Sequence, residues 1–280
     1  MERKRHPFSR VLRIVLTVLL GVPSLFVLYA VAVPDAAFPP TTTVTMEDST
    51  NALELAQDLF LAVRTEEPYD SLLARLDAFH PDTLIHQLDS DAKRKAFWLN
   101  TYNAFAQIAL DRGAVDLTNA SVRLRHYGKR DIRIAGRLLS LDDIEHGMLR
   151  HSKVWWSKGY LTKWFPNAFE KALRAELDPR IHFALNCGAA SCPAIAYYDA
   201  KEIDRQLELA VQVFLANEVT FNEQANTVSV IPYFNWFAGD FGGKKGTIAF
   251  LKQHDLLPQV ADPKVVYKDY DWSVQSGNYR

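Results

Sequence analysis

Cys187 and Cys192 are the two cysteines of the chain, and they bracket Gly188-Ala189-Ala190-Ser191 just after the apolar run His182-Phe183-Ala184-Leu185-Asn186. Thiols this close on a Gly-containing loop can reach disulfide geometry, and in an oxidising compartment such a pair staples the loop. The same position also suits a nucleophile, because a nearby imidazolium stabilises a thiolate. Structural zinc wants four ligands at recognised spacing, which this pair and scattered histidines do not supply, so no metal is assigned. No cofactor is called for either.

Two histidines stand near acidic or apolar neighbours. His146 lies in Asp142-Asp143-Ile144-Glu145-His146-Gly147, where the carboxylates could raise its pKa or orient its ring. The alternative is a surface histidine near a helix end. His182 alternates with Ile181 and Phe183, so in a strand it faces away from them, towards a site or, as the preferred reading, towards a packed core. Asn100 and Asn103 are three apart, on one face of a helix, and each unmatched buried amide would cost about 1–3 kcal/mol. Bonding to the Cys187 loop is the structural solution. Asn235 to Phe241 is aromatic with Asp240 its only charge, and reads as a core plug with a capping carboxylate. Arg123, Arg125, Lys129, Arg130, Arg133 and Arg137 form a basic cluster that reads as a solvated hairpin face.

The elements that must position these residues are legible as periodicities. Asn51 to Arg64 has apolar residues at helical spacing, Tyr69–Leu76 and Pro81–Leu88 suggest short helices, and Asp91 to Arg112 is the strongest helix, mostly buried. Ile132–Ile134 and Leu138–Ser140 flank a turn at Ala135-Gly136-Arg137 and predict a hairpin, followed by a helix from Leu141 to Arg150. Ile181 to Leu185 reads as a buried strand. Lys201 to Asn217 is an amphipathic helix, Val219–Phe221 with Thr227–Ile231 a second hairpin, and Lys244–Gln253 the last helix. The class is α+β: one helix-rich domain with a small, mainly antiparallel sheet and no internal repeat.

Arg3, Lys4, Arg5, Arg10 and Arg13 precede a charge-free stretch from Ile14 to Val33, the length a helix needs to cross a bilayer. The expected organisation is a cytoplasmic basic tail (1–13), one transmembrane helix (14–33), a Pro/Thr/Ala-rich linker (34–50) and a globular domain (51–280). The positive flank stays inside, so the domain faces the periplasm or exterior of an inner membrane, with the lipid bilayer as partner through residues 14–33. Ala30-Val31-Ala32 would also satisfy a signal-peptide cleavage rule, but typical signal peptides carry a shorter apolar region, of about 7–15 residues. The chain carries net −1, with residues 1–33 at +4 and the remainder near −5, which does not suggest nucleic-acid binding.

The segments AFWLNTYNAF, LSLDDIEHGMLR, DPRIHFALNCGAASCPAI and YDWSVQ, in that order, resemble the domain of unknown function 547 over roughly Lys93 to Ser273. The resemblance implies that Asn100, Asn103, Glu145, His146, Arg150, His182, Cys187, Ser191, Cys192 and Pro193 are signature positions, without implying a reaction. Family members look like exported or anchored bacterial proteins and plant proteins with a preceding coiled coil, which hints at an interaction role. A Trp-bearing helix followed by a His-bearing strand is also similar to papain-like and transglutaminase-like hydrolases, with an asparagine where their helix cysteine stands. The expected function is binding or scaffolding of an envelope ligand or protein at a polar Asn/His/Cys cluster. Its binding residues would be Asn100, Asn103, Glu145, Arg150 and Ser191. The alternative is a cysteine-dependent hydrolase or acyltransferase using Cys187 or Cys192 with His146 or His182. A third reading is lipid or polymer binding through the basic hairpin and the Trp155-Trp156 to Trp164 stretch.

Overall fold

The structure is a computed structural model that describes residues 50–279. The basic tail, the charge-free stretch 14–33 and nearly all of the linker lie outside the described residues. Among the described residues no helix is long and apolar enough to cross a membrane.

Helix α1 (Ala52–Arg64) starts where the Asn51 side chain accepts hydrogen bonds from the N–H groups of Leu53 and Glu54. Short helices α2 (Asp70–Ala78) and α3 (Pro81–Gln87) follow. The organising element is α4 (Asp91–Asp111), capped by Ser90 and packed along α1. Phe97, Trp98, Leu99, Tyr102, Phe105 and Ile108 of α4 are all buried, each side chain of this size contributing about 1.5–3 kcal/mol. The Trp98 indole N–H satisfies itself on the Leu173 carbonyl at 2.9 Å.

Asn119 caps α5 (Ala120–Tyr127), and β1 (Ile132–Ile134) pairs antiparallel with β2 (Arg137–Leu139). Ala135 and Gly136 both have positive φ, as a tight two-residue hairpin turn requires. Ser140 and Asp143 then cap each other reciprocally, the Ser140 hydroxyl accepting from the Asp143 N–H and the Asp143 carboxylate from the Ser140 N–H, both at 3.0 Å. What they open is a π-helix, Asp143–Leu149. Helix α6 (Ala168–Leu173), a 3-10 turn (Pro179–Phe183) and the amphipathic α7 (Ile203–Glu218) come next. Strands β3 (Thr220–Asn222) and β4 (Thr227–Val230), helices α8 (Tyr233–Trp236) and α9 (Gly243–Gln253), and β5 (Lys264–Tyr267) complete the order.

Helix-rich α+β architecture is therefore present, with three departures from expectation. Among the described residues there are two small sheets rather than one, a β1-β2 hairpin and a β3-β4-β5 sheet in which β5 joins β4 in parallel. Ile181 to Leu185 is not a strand: Asp178 accepts from the Arg180 N–H and Pro179 follows it, so the segment starts as a capped 3-10 turn. A short apolar run cannot by itself distinguish the two. Arg123 and Arg125 lie on α5 and not on a hairpin face, because Asn119 caps a helix there. Of the remaining cations of that cluster, Lys129 pairs with Asp131, Arg130 with Asp143 and Arg133 with Asp77, and the Arg137 guanidinium lies 6.0 Å from the centre of the Phe169 ring.

The core is divided. One apolar cluster surrounds α4, a second gathers Phe183, Tyr233, Phe234 and Phe241 against α7 and α9, and a small third contains Leu110, Leu117, Ala189 and Cys192. The C-terminal segment after β5 straps the third: Ala190 and Ser191 donate their N–H groups to the Ser273 and Asp271 carbonyls, and Gln275 N–H donates to Gly188 O.

Candidate functional site

Asn100 and Asn103 are fully buried, and both are consumed by backbone. Asn100 donates to Tyr198 O at 2.7 Å and accepts from Tyr198 N–H at 2.9 Å, while Asn103 donates to Ala184 O and accepts from Asn186 N–H. They fix the entry and exit of the cysteine loop to α4. Asn186 continues the clamp, accepting from Gly188 N–H at 2.9 Å and donating to Pro193 O at 2.7 Å. Gly188 has φ +90 and lies against Leu110, so neither its conformation nor its space admits a side chain. Ser191 serves the strap, its hydroxyl accepting from Asp271 N–H.

Held this way, Cys187 and Cys192 are joined as a disulfide with Cα atoms 6.2 Å apart, within the ordinary range. The Tyr270 hydroxyl lies 3.2 Å from Cys192 Sγ and 3.0 Å from the Tyr233 hydroxyl. The paired sulfurs support the loop-staple reading.

Also packed against α4, the π-helix presents Glu145 and His146 side by side. A π-helix closes i→i+5 bonds, seen here as Arg150 N–H to Glu145 O at 2.8 Å and Ser152 N–H to Gly147 O at 2.9 Å. Arg150 is completely buried, yet it holds three site residues together. Its Nε donates to Asp240 Oδ2 at 2.7 Å, its Nη1 donates to His146 Nδ1 at 2.8 Å, and its guanidinium carbon sits 4.5 Å from the centre of the Phe237 ring. A donor on Nδ1 fixes the His146 proton on Nε2, which faces Asp142 at 3.7 Å. His182, brought over by the 3-10 turn, donates from Nε2 to the same Asp240 oxygen at 2.9 Å and stacks on Phe237 with centroids 3.9 Å apart. His182 is thus a buried histidine whose partner is a carboxylate.

The electrostatics follow from burial. Burial pushes the Glu145 carboxyl up to about 7, Asp142 and Asp240 adding to the rise and Arg150 and a hydrogen bond from Tyr102 opposing it. Burial, helped by Asp143, raises Asp142 to about 6. Burial holds His146 well below its ordinary value, with Arg150 acting in the same direction. Burial likewise brings His182 down to about 4 against the pull of Asp240. Asp240 itself, despite its burial, is lowered by His182 and Arg150, so it is the ionised member of the cluster. Burial raises the hydroxyls of Tyr102, Tyr127, Tyr233 and Tyr270, which stay protonated and act as hydrogen-bond donors.

These residues border a cleft of about 430 Å³. Arg123, Asp142, Glu145, His146 and His182 supply its charged and polar lining, and its walls are Tyr102, Tyr127, Trp155, Tyr233, Trp236, Phe237, Tyr270 and Trp272. Trp236 and Trp272 stack with centroids 5.4 Å apart, and Arg123 lies 3.9 Å over Trp272 at the rim. Among the described residues no group of three or more His, Cys, Asp and Glu side chains is arranged to hold a metal ion.

Of the sequence candidates, Glu145, His146, His182 and Cys187 line one cleft. Arg150 braces it from behind, and Cys192 closes the disulfide at its edge. Asn100, Asn103 and Ser191 are committed to backbone bonds. Sequence reasoning gave Asp240 only a capping role and passed over Tyr102, Tyr233 and Tyr270. The lone carboxylate within Asn235–Phe241 is the signal for Asp240, and for Tyr102 and Tyr270 it is their place in the AFWLNTYNAF and YDWSVQ segments; Tyr233 carries none, because it resembles an ordinary core aromatic.

The family model described as Protein of unknown function, DUF547, matches residues 76–215, half of the chain. The chain belongs to this family. The DUF547 match contains Tyr102, Glu145, His146, Arg150, His182 and both cysteines, but Tyr233, Asp240, Tyr270 and Trp272 come from beyond it. No curated protein and no solved structure matches the chain.

Proposed function

We propose that this DUF547 domain is a ligand-binding domain of the cell envelope whose cleft takes a small organic cation. The observation that carries the reading is the pairing of an aromatic enclosure with acid. Six of its rings, Trp155, Tyr233, Trp236, Phe237, Tyr270 and Trp272, surround a lining in which Asp142 and Glu145 lie 3.7 and 3.5 Å from the His146 ring, whose pKa burial holds well below its ordinary value, while the lining cation Arg123 sits over Trp272. Ring faces attract a desolvated ammonium by about 0.5–2 kcal/mol each. Two carboxyls strained upward by burial gain by ionising beside such a charge. Pockets of this kind combine apolar walls with a few convergent polar groups.

The charge-free stretch 14–33 supports placement of the domain outside an inner membrane on a single anchor, which also suits the disulfide. Choline, a permanent cation without a proton of its own, is the direct probe, with a neutral N-acetylglucosamine oligomer as the control. Titration of the full chain in detergent is expected to change the fluorescence of the cleft tryptophans with choline and not with the oligomer. Glu145→Gln is expected to weaken choline binding at least about tenfold, the factor that about 1.4 kcal/mol represents. Equal binding by wild type and variant would remove the reading.

A second reading rests on the titration of Glu145 near neutrality beside neutral imidazoles: proton transfer to or from the bound ligand. It uses Glu145 and not a cysteine, since both sulfurs are occupied by the disulfide.

A further inference from the structure

Large exposed apolar side chains are scattered over the described residues except in one place. Trp155, Trp156, Tyr160, Leu161, Trp164 and Phe165 all lie exposed within eleven residues, Trp164 and Phe165 at 88% and 79%. Single exposed hydrophobics need no explanation, whereas a concentration of this kind marks a contact surface.

The segment is held rigidly by its backbone. Val154 N–H donates to Leu161 O and Lys163 N–H to Ser152 O, and Lys153 bridges Thr162, which closes the loop at its base. Lys158 O accepts from Gly239 N–H at 2.8 Å and Lys158 Nζ donates to Asn235 Oδ1 at 2.8 Å, so the loop is pinned to the turn that carries Asp240. The aromatic rings are therefore displayed by a fixed support.

We propose that this loop is a second membrane contact, its aromatic tip lying in the headgroup region of an anionic bilayer. The occupant is identified by charge and by reach. From His146 to Phe169 the chain has no Asp or Glu, while Lys153 and Lys158, together with Lys163 beside Glu170, are cationic, the combination that anionic headgroups and the aromatic belt of a membrane interface favour. The charge-free stretch ends at Val33 and the first described residue is Thr50, a connection of at most about 55–60 Å when extended. A domain of this size has a radius of gyration of about 17 Å, so the connection is long enough for any face to reach the bilayer. Trp155 belongs both to the loop and to the cleft wall, so docking sets the cleft mouth at headgroup level.

The test uses the full chain in liposomes of phosphatidylethanolamine and phosphatidylglycerol, with and without bromine on the acyl chains. All the tryptophans lie in the globular part, so bromine quenching reports contact of that part with lipid. Strong quenching is expected in the wild type, and loss of most of it in Trp156→Ala/Trp164→Ala/Phe165→Ala with an unchanged far-ultraviolet circular dichroism spectrum. The single variant Trp164→Ala, at the most exposed ring, is expected to lose part of it. Absence of quenching in the wild type, or equal quenching in the variants, overturns the proposal. Protection of Trp164 from iodide without bromine quenching also overturns it, and assigns the patch to a protein contact. Choline binding in the same variants is expected to be unchanged, which keeps this result separate from the cleft reading.

Discussion

At the residue scale, the central fact is a carboxylate shared by two donors. Asp240 Oδ2 accepts from Arg150 and from His182, all three fully or nearly fully buried, while Asp240 Oδ1 and Arg150 Nη2 have no hydrogen-bond partner among the described residues. The cluster is better understood as orientation than as net stabilisation, since burying the ions costs about as much as their attraction returns. Removing one partner is different. Asp240→Ala leaves Arg150 uncompensated and is expected to lower unfolding free energy by about 3–5 kcal/mol in urea denaturation, with loss of the His146 orientation. Glu145 gives the opposite sign. Its carboxyl holds a proton to about 7 in the fold, against 4.5 ordinarily, so the stability it contributes is fully present below the unfolded value and is lost as pH rises through about 7. Glu145→Gln is therefore expected to be more stable than wild type at pH 8 by roughly 1–3 kcal/mol and no more stable near pH 4, as thermal denaturation at the two pH values would show. His182 acts the other way, its stabilisation being lost as pH falls from 6.5 towards about 4.

At the element scale, the site depends on three irregular segments: the π-helix, the 3-10 turn and the pinned aromatic loop. Gly159 joins two of these considerations. It has φ +87, and a Cβ there would overlap the Asp240 carboxylate, so Gly159→Ala must displace either the loop or the ion pair. The expected result is a destabilisation of about 2–4 kcal/mol, with choline affinity reduced although residue 159 does not line the cleft. Retained affinity at full stability would show that the loop and the Asp240 turn move independently. These irregular segments are also where sequence reading was weakest. The helices α1, α4 and α7 and both hairpins were legible because their apolar spacing repeats over enough residues to define a period. The 3-10 turn was not, because Ile181 to Leu185 is too short for a period, and its cap at Asp178 competes with its strand-like composition. Helix α5 was missed because none of its residues is buried, so it has no apolar stripe to read. The helix expected from Leu141 to Arg150 exists in a wider form, and no residue pattern announces an i→i+5 ladder.

At the scale of the whole molecule, the cleft is assembled from all three apolar clusters, with Tyr102 from the first, Tyr233 and Phe237 from the second, and Cys187, Tyr270 and Trp272 from the third. Its residues range from position 102 to position 272. That long range explains why the signature residues Glu145, His146, His182 and Cys187 could be named from the chain while their common destination could not: contact between distant segments is a property of packing. The same assembly joins the DUF547 region to a C-terminal part beyond it, which supplies the ionised carboxylate and five of the eight aromatic residues of the wall.

The claim that the cleft receives an organic cation makes one quantity decisive. If choline settles beside Glu145 and Asp142, it must favour their ionised forms, which otherwise hold protons to about 7 and about 6. Calorimetric titration of choline at pH 6.5, repeated in buffers of different ionisation enthalpy, counts the protons exchanged. Release of a substantial fraction of a proton per choline bound, abolished in Glu145→Gln, is the expected result. Binding without proton release, or no binding at all, contradicts the account.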